Sequence, residues 1–251
     1  MYTFLNNGSD GYHSQTNVVI SNGIIYGGTT SGGASNFGTI WSVPITGGSM
    51  TTLYEFPGGS DGAGVNESIV LVGDTLYGTC GYDGAISQGI FWSCPITGGP
   101  ITQIYVFGPS VGYDPVSGVS YYNGLFYGTT AFGGTNYNGI LYSMTPDGNI
   151  TVLANFDPST IGNRAVAAPV TDGVNLYGVC SLGGVNNFGT IWSAPIGGGG
   201  ISVIYDLNGT DGSTPSASLI LDGSTLYGTT SDGGTEGFGV VFSISTDGTG
   251  Y

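Results

Sequence analysis

Ile25-Tyr26-Gly27, Leu76-Tyr77-Gly78, Phe126-Tyr127-Gly128, Leu176-Tyr177-Gly178 and Leu226-Tyr227-Gly228 recur at spacings of 51, 50, 50 and 50 residues. Fifteen residues after each Tyr stands a second aromatic: Trp41, Trp92, Tyr142, Trp192 and Phe242. Fifteen residues before each stands a glycine: Gly11, Gly62, Gly112, Gly162 and Gly212. Three columns that align without a gap define a repeat, and a period near 50 residues narrows the architectures to a few.

Within one period the pattern reads as four short strands. In the second repeat these are Ile69–Val72, Thr75–Cys80, Ile90–Cys94 and Ile101–Phe107, here named A to D. Gly73-Asp74 joins A to B, and other repeats use Asn-Gly or Asp-Gly, dipeptides that accept positive φ in tight hairpins. Gly-Gly pairs such as Gly133-Gly134 and Gly183-Gly184 mark the B–C turn. No segment has helical periodicity. Four antiparallel strands about every 50 residues predict an all-β, five-bladed β-propeller, residues 1–251 forming a single domain. Met1-Tyr2-Thr3-Phe4 matches the D segment Leu53-Tyr54-Glu55-Phe56, whereas the last repeat stops at Tyr251, where its own D strand would begin. The N-terminal strand is therefore expected to complete the last blade and close the ring.

Composition narrows the partners. The chain of 251 residues has 50 glycines and is 39% hydrophobic, too apolar for disorder. It carries 16 Asp and Glu against one Arg (Arg164), one His (His13) and no Lys, for a net charge of −15. Missing cations, rather than many acids, produce that charge, since only 7% of residues are charged. Nucleic acid is excluded, because phosphate binding requires several Lys or Arg, and anionic membranes are disfavoured on the same ground. No apolar run is long enough to span a bilayer. The N-terminus lacks a basic start and an apolar core, so the expectation is a trimmed mature chain or export by another route. Cys80, Cys94 and Cys180 have no metal-binding spacing and are expected to be free, buried thiols. No cofactor is implied.

The last repeat reads Asp222-Gly223, Leu226-Tyr227-Gly228-Thr229-Thr230, Gly233-Gly234 and Gly239-Val240-Val241-Phe242. In this succession the chain resembles the glycine-rich tandem-repeat family called GloVer repeats, over essentially its whole length. The resemblance implies a propeller carried by exported proteins with varied surface anchors, hence an extracellular or cell-surface location, and it implies no particular reaction.

The D–A and B–C loops of a propeller share the face near the axis, where ligands usually bind. Before the repeated Gly of each D–A loop stand Asp10, Asp61, Val111, Ile161 and Asp211. Three positions on stand His13, Gly64, Asp114, Arg164 and Thr214, so the one His, the one Arg and an Asp share a slot. Asp114, Arg164, Asp10, Asp61 and Asp211 are therefore candidate ligand residues; the simpler reading makes the three Asp-Gly acids turn formers and Arg164 an ion-pair partner. Phe37, Tyr137, Phe188 and Phe238, at the B–C tips, are candidate contacts for neutral sugars. Asn7, Asn66, Asn149 and Asn208 head Asn-X-Ser/Thr sequons, relevant if the source is eukaryotic or viral. No catalytic residue stands out: a glycosidase needs paired carboxylates, and Glu55, Glu67 and Glu236 fall in three different columns, though Asp61 lies near Glu67. The sequence thus points to a non-enzymatic surface or assembly module whose partners are other surface proteins or copies of itself, with a carbohydrate-binding propeller as the alternative.

Overall fold

The second aromatic of each repeat explains the glycine of the first segment. Antiparallel pairing sets Gly27 opposite Trp41, Gly78 opposite Trp92 and Gly178 opposite Trp192. A Cβ at these glycines would lie 2.3–2.5 Å from the facing indole, so only glycine lets the ring lie over the strand. Tyr-Gly followed by Trp is thus one packing unit split across a hairpin.

The computed structural model describes residues 2–5, 10–65, 68–81 and 88–251. They form antiparallel sheets, with one 3₁₀ turn at Gly59–Asp61 and no α-helix among the described residues. The chain divides into two compact units: Met1–Gly108 with Tyr113–Val119, and Pro109–Gly112 with Ser120–Tyr251.

The first unit contains two four-stranded sheets. One runs Val19–Ser21, Ile24–Gly28, Thr39–Pro44, Thr51–Glu55, and the other Ile69–Val72, Thr75–Cys80, Ile90–Pro95, Thr102–Val106. In both, spatial order follows chain order, as short hairpins dictate. The A and B strands of the second sheet coincide with the sequence reading, and C and D differ only at their ends. Between the two sheets Tyr26, Ile40, Phe56, Val65, Leu76 and Trp92 form one buried core. The Thr79 hydroxyl adds a buried bond, donated to the Pro115 carbonyl at 2.7 Å.

Apart from Val119, the second unit holds three sheets. Two are complete: Val119–Tyr122, Leu125–Thr129, Ile140–Met144, Ile150–Asn155, then Val170–Thr171, Asn175–Cys180, Thr190–Pro195, Ser202–Asp206. In the fifth sheet Thr225–Asp232 lies between Ile220–Asp222 and Val241–Ser245, and its far half pairs with Ser213–Pro215. Val241–Ser245 has no outer neighbour among the described residues. Two cores hold the unit together, one around Tyr127, Leu141, Phe156 and Trp192, the other around Tyr177, Ile191, Leu226 and Phe242.

Within each unit one sheet buries a face against the next, and the last sheet leaves that face open. Ile40, Phe91, Leu141 and Ile191 are fully buried, but Val241 in the same column is 84% exposed. Tyr227 is 43% exposed, against 3–5% for Tyr26, Tyr127 and Tyr177. A hollow of about 290 Å³ lies here, lined by Ile220, Tyr227, Thr229 and Val241. In the first unit a hollow of about 260 Å³ is lined by Tyr2, Phe4, Val18, Ile25 and Trp41. Phe4 packs edge-on to Trp41 with centroids 5.7 Å apart, as Phe56 does to Trp92 at 6.0 Å and Phe156 to Trp192 at 5.7 Å. Residues 2–5 thus stand toward the first sheet as a D strand stands toward the sheet that follows it.

The three cysteines are buried thiols outside any disulfide among the described residues. Cys80 pairs with Ile90 and Cys94 with Leu76, at opposite ends of one hairpin. Burial pushes the Cys94 thiol up to about 11 and raises Cys180 as well, which starves both of the reactive thiolate. Alkylation is therefore expected to be negligible in the native protein and to reach three labels per chain in denaturant without reductant; one label by mass spectrometry would reveal a disulfide and refute this pairing.

Candidate functional site

The Asp of each Asp-Gly turn is held by a tyrosine hydroxyl. Tyr2 donates to Asp10 Oδ2 at 2.5 Å, Tyr54 to Asp61 at 3.1 Å and Tyr205 to Asp211 at 2.8 Å. Asp10 also accepts from Leu5 N, and Asp211 from the backbone and side-chain amides of Asn208. Each Tyr lies at the end of the D segment six to eight residues upstream, so the bond fastens the loop to the segment that leads into it. The fourth repeat has Ala154 in place of that Tyr, Ile161 in place of the acid, and Asp157 instead capping Ser159 N and Oγ. The third keeps Tyr105 beside Val111. In all but the third repeat the Asp of the Asp-Gly turn is thus present where a D-segment tyrosine is present to bond it.

These contacts carry a pH signature. Burial first, then the bond to Asp211, pushes the Tyr205 hydroxyl up to about 12; Tyr54 is raised by the corresponding pair of causes, burial and Asp61. A phenol with a folded pKa above its unfolded value stabilises the fold fully below about pH 10 and loses that contribution as pH rises through the folded value. Alkaline unfolding is therefore expected to steepen between about pH 10 and 12. Asp211→Ala should cost about 1–2 kcal/mol at neutral pH and shift tyrosinate formation to lower pH in ultraviolet difference spectra; an unchanged titration would show that the bond contributes nothing.

The second column is a backbone feature. His13, Gly64, Asp114, Arg164 and Thr214 all adopt left-handed φ, from 53° to 64°. Gly64 N donates to Phe37 O, Asp114 N to Gln88 O and Thr214 N to Phe188 O. In these three repeats the kink turns a loop N–H onto the B–C tip of the preceding repeat. Gly64 was the sequence signal for this conformation, masked by four side chains that suggested chemistry. Asp114 is buried, whereas His13 and Arg164 are exposed. Among the described residues Arg164 makes no ion pair.

The tip aromatics separate into two kinds. Phe37 covers Gly58 and Phe188 covers Gly209, glycines in the loops that follow, where a Cβ would meet the ring at 2.5 and 3.0 Å. Phe238 and Tyr137 instead stand 89% and 71% exposed. Tyr137 also belongs to a different column, aligned with Asn36, Asn187 and Gly237, all at positive φ. Sequence reasoning missed the acceptors at the D-strand ends. Glu55 accepts from Ala34 N, Asn155 from Thr135 N, and Asp206 from Val185 N and Asn186 N, so each steadies the B–C tip of its own repeat. Asn149 and Asn208 are exposed sequon residues whose amides donate to Asp147 and Asp211. Asn7, Asn66 and Glu67 lie outside the described residues. Among the described residues no three His, Cys, Asp or Glu gather as a metal site.

Serial four-stranded antiparallel sheets, packed on one another within each unit and built on a recurring Tyr-Gly hairpin, define a β-propeller type of repeat protein. Residues 1–192 match the Gloeobacter/Verrucomicrobia repeat, and the chain belongs to that family. Solved structures agree on the fold. The nidogen/laminin complex superposes with a TM-score of 0.60 at 16% identity, over 89% of this chain and 72% of that one. A putative TolB from Agrobacterium tumefaciens gives 0.58 at 15% identity, over 90% and 74%. TolB from Acinetobacter baumannii gives 0.56 at 14%, over 90% of this chain and 50% of that one. No curated protein matches the sequence.

Proposed function

We propose that the chain is a single five-bladed propeller that acts without catalysis, as a structural or assembly module displayed outside the cell. Closure is supported by two observations: Phe4 on Trp41 repeats the D-strand contact of internal repeats, and Val241 is exposed where its counterparts are buried. Residues 2–5 then pair with Val241–Ser245 and supply the fifth sheet with its fourth strand.

The observation that carries the assembly role is the composition of the outer strands. Thr102–Val106 and Ile150–Asn155 contain no charged residue. Glu55 and Asp206, the acids that end the other two, are occupied with capping the B–C tips. Natural edge strands are usually guarded by charge, most often Lys; these are left open to pair with a neighbour. Sedimentation should show concentration-dependent association that Val152→Lys, at an exposed edge position, abolishes without lowering the melting temperature. A monomer at every concentration would refute the assembly role.

The exposure of Phe238 and Tyr137 favours a second reading, a glycan-binding face at the B–C tips. Flat, uncharged aromatic surface beside hydroxyl-rich loops suits sugar rings.

A further inference from the structure

We propose that the junction of the third and fourth repeats binds a largely neutral glycan bearing a single carboxylate, with Arg164 as the residue that reads the charge. The inference rests on the glycan-binding reading of this face and gives it a place and a ligand class.

Three irregularities meet at this junction. At three other repeat junctions a loop N–H bonds the preceding tip, but here the link is between side chains, Asn163 Nδ2 donating to Asn138 Oδ1 at a long 3.4 Å. Asn163 Oδ1 is buried and accepts no hydrogen bond from the described residues, a cost that native structures rarely leave unexplained. Next to Asn138, Tyr137 holds φ at 59°, where its counterparts are Asn36, Asn187 and Gly237. Asn and Gly enter that region cheaply, while a bulky aromatic does so at a cost, and such strain gathers at binding sites. The tyrosine gains no burial in return, being 71% exposed.

Next to Asn163 stands Arg164, the sole Lys or Arg of the chain. Its carbonyl is fixed by Ser181, which donates from both N and Oγ at 3.2 Å. The backbone is therefore anchored, and among the described residues no acid pairs with the exposed arginine. Guanidinium groups recognise carboxylates through two parallel N–H bonds. The phenol face of Tyr137 offers a platform for a sugar ring. Net charge sets the class: at −15 a densely anionic polymer is repelled, whereas one carboxylate on a neutral backbone is not.

The test is calorimetric titration with a xylo-oligosaccharide carrying one glucuronate branch, against the same oligosaccharide unbranched. The branched probe should bind about tenfold tighter or better, as expected for a charged hydrogen-bonded pair. Arg164→Gln should erase that ratio at an unchanged melting temperature, and Tyr137→Asn should weaken both probes. Equal affinity for the two probes, or a ratio that survives Arg164→Gln, overturns the role of Arg164 and leaves the glycan reading standing. Binding of neither probe overturns the proposed site, and an array on which no glycan is bound would remove the glycan reading itself.

Discussion

Trp192→Ala is expected to destabilise the protein by about 3–5 kcal/mol, the usual cost of emptying a fully buried large aromatic site. The ring is completely buried, packs edge-on to Phe156 of the preceding repeat, and lies over Gly178 of its own hairpin. Losing it removes contacts within one sheet and between two, and the cavity has rigid walls because neighbouring strands are tied by their ladders. The reciprocal change probes the same packing from below. Gly178→Ala puts a methyl 2.3 Å from the indole, and the strand or ring must shift, at about 1–3 kcal/mol. Urea titrations of the two variants should therefore both show lower midpoints, with Trp192→Ala the larger loss. A Gly178→Ala protein as stable as the parent would mean that the glycine column has another cause.

Deleting residues 1–5 is the second large effect. It strips Phe4 from Trp41 and the Tyr2 hydroxyl from Asp10. If the segment also completes the fifth sheet, amide exchange should accelerate in Val241–Ser245, far along the chain from the cut. About 3–5 kcal/mol should be lost, comparable to truncating a buried aromatic. A truncated protein with the parent melting temperature and unchanged exchange in Val241–Ser245 would rule out ring closure. Loss of stability with exchange altered only near Trp41 would place the segment on the first sheet alone.

The columns that could be read as structure in the sequence were those with one physical demand. Tyr-Gly with Trp fifteen residues later has a steric cause that acts in the same way wherever it recurs, so spacing sufficed to find it and to place strands A and B. The slot of His13, Gly64, Asp114, Arg164 and Thr214 hid a second demand, on backbone φ, which five different residues meet in this fold. The partners of the Asp-Gly acids were hidden for another reason: each is a hydroxyl contributed by the preceding D segment, and a pair of that kind shows only when both columns are read together. The amide pair at Asn138 and Asn163 had no sequence signal at all, since Asn is common in these loops and only distance distinguishes this contact.

The solitary arginine has one more consequence. A protease that cuts only after Lys or Arg finds a single address in the chain, the peptide between exposed Arg164 and buried Ala165. The cut would fall within a loop of the second unit, between a residue anchored by Ser181 and Ala165, whose carbonyl accepts from Thr129. Both new ends stay pinned to neighbouring strands. A nicked protein that holds together until denaturant is added would thus measure how strongly repeats adhere without the covalent thread, and would offer residue 165 as a ready starting point for a permuted chain.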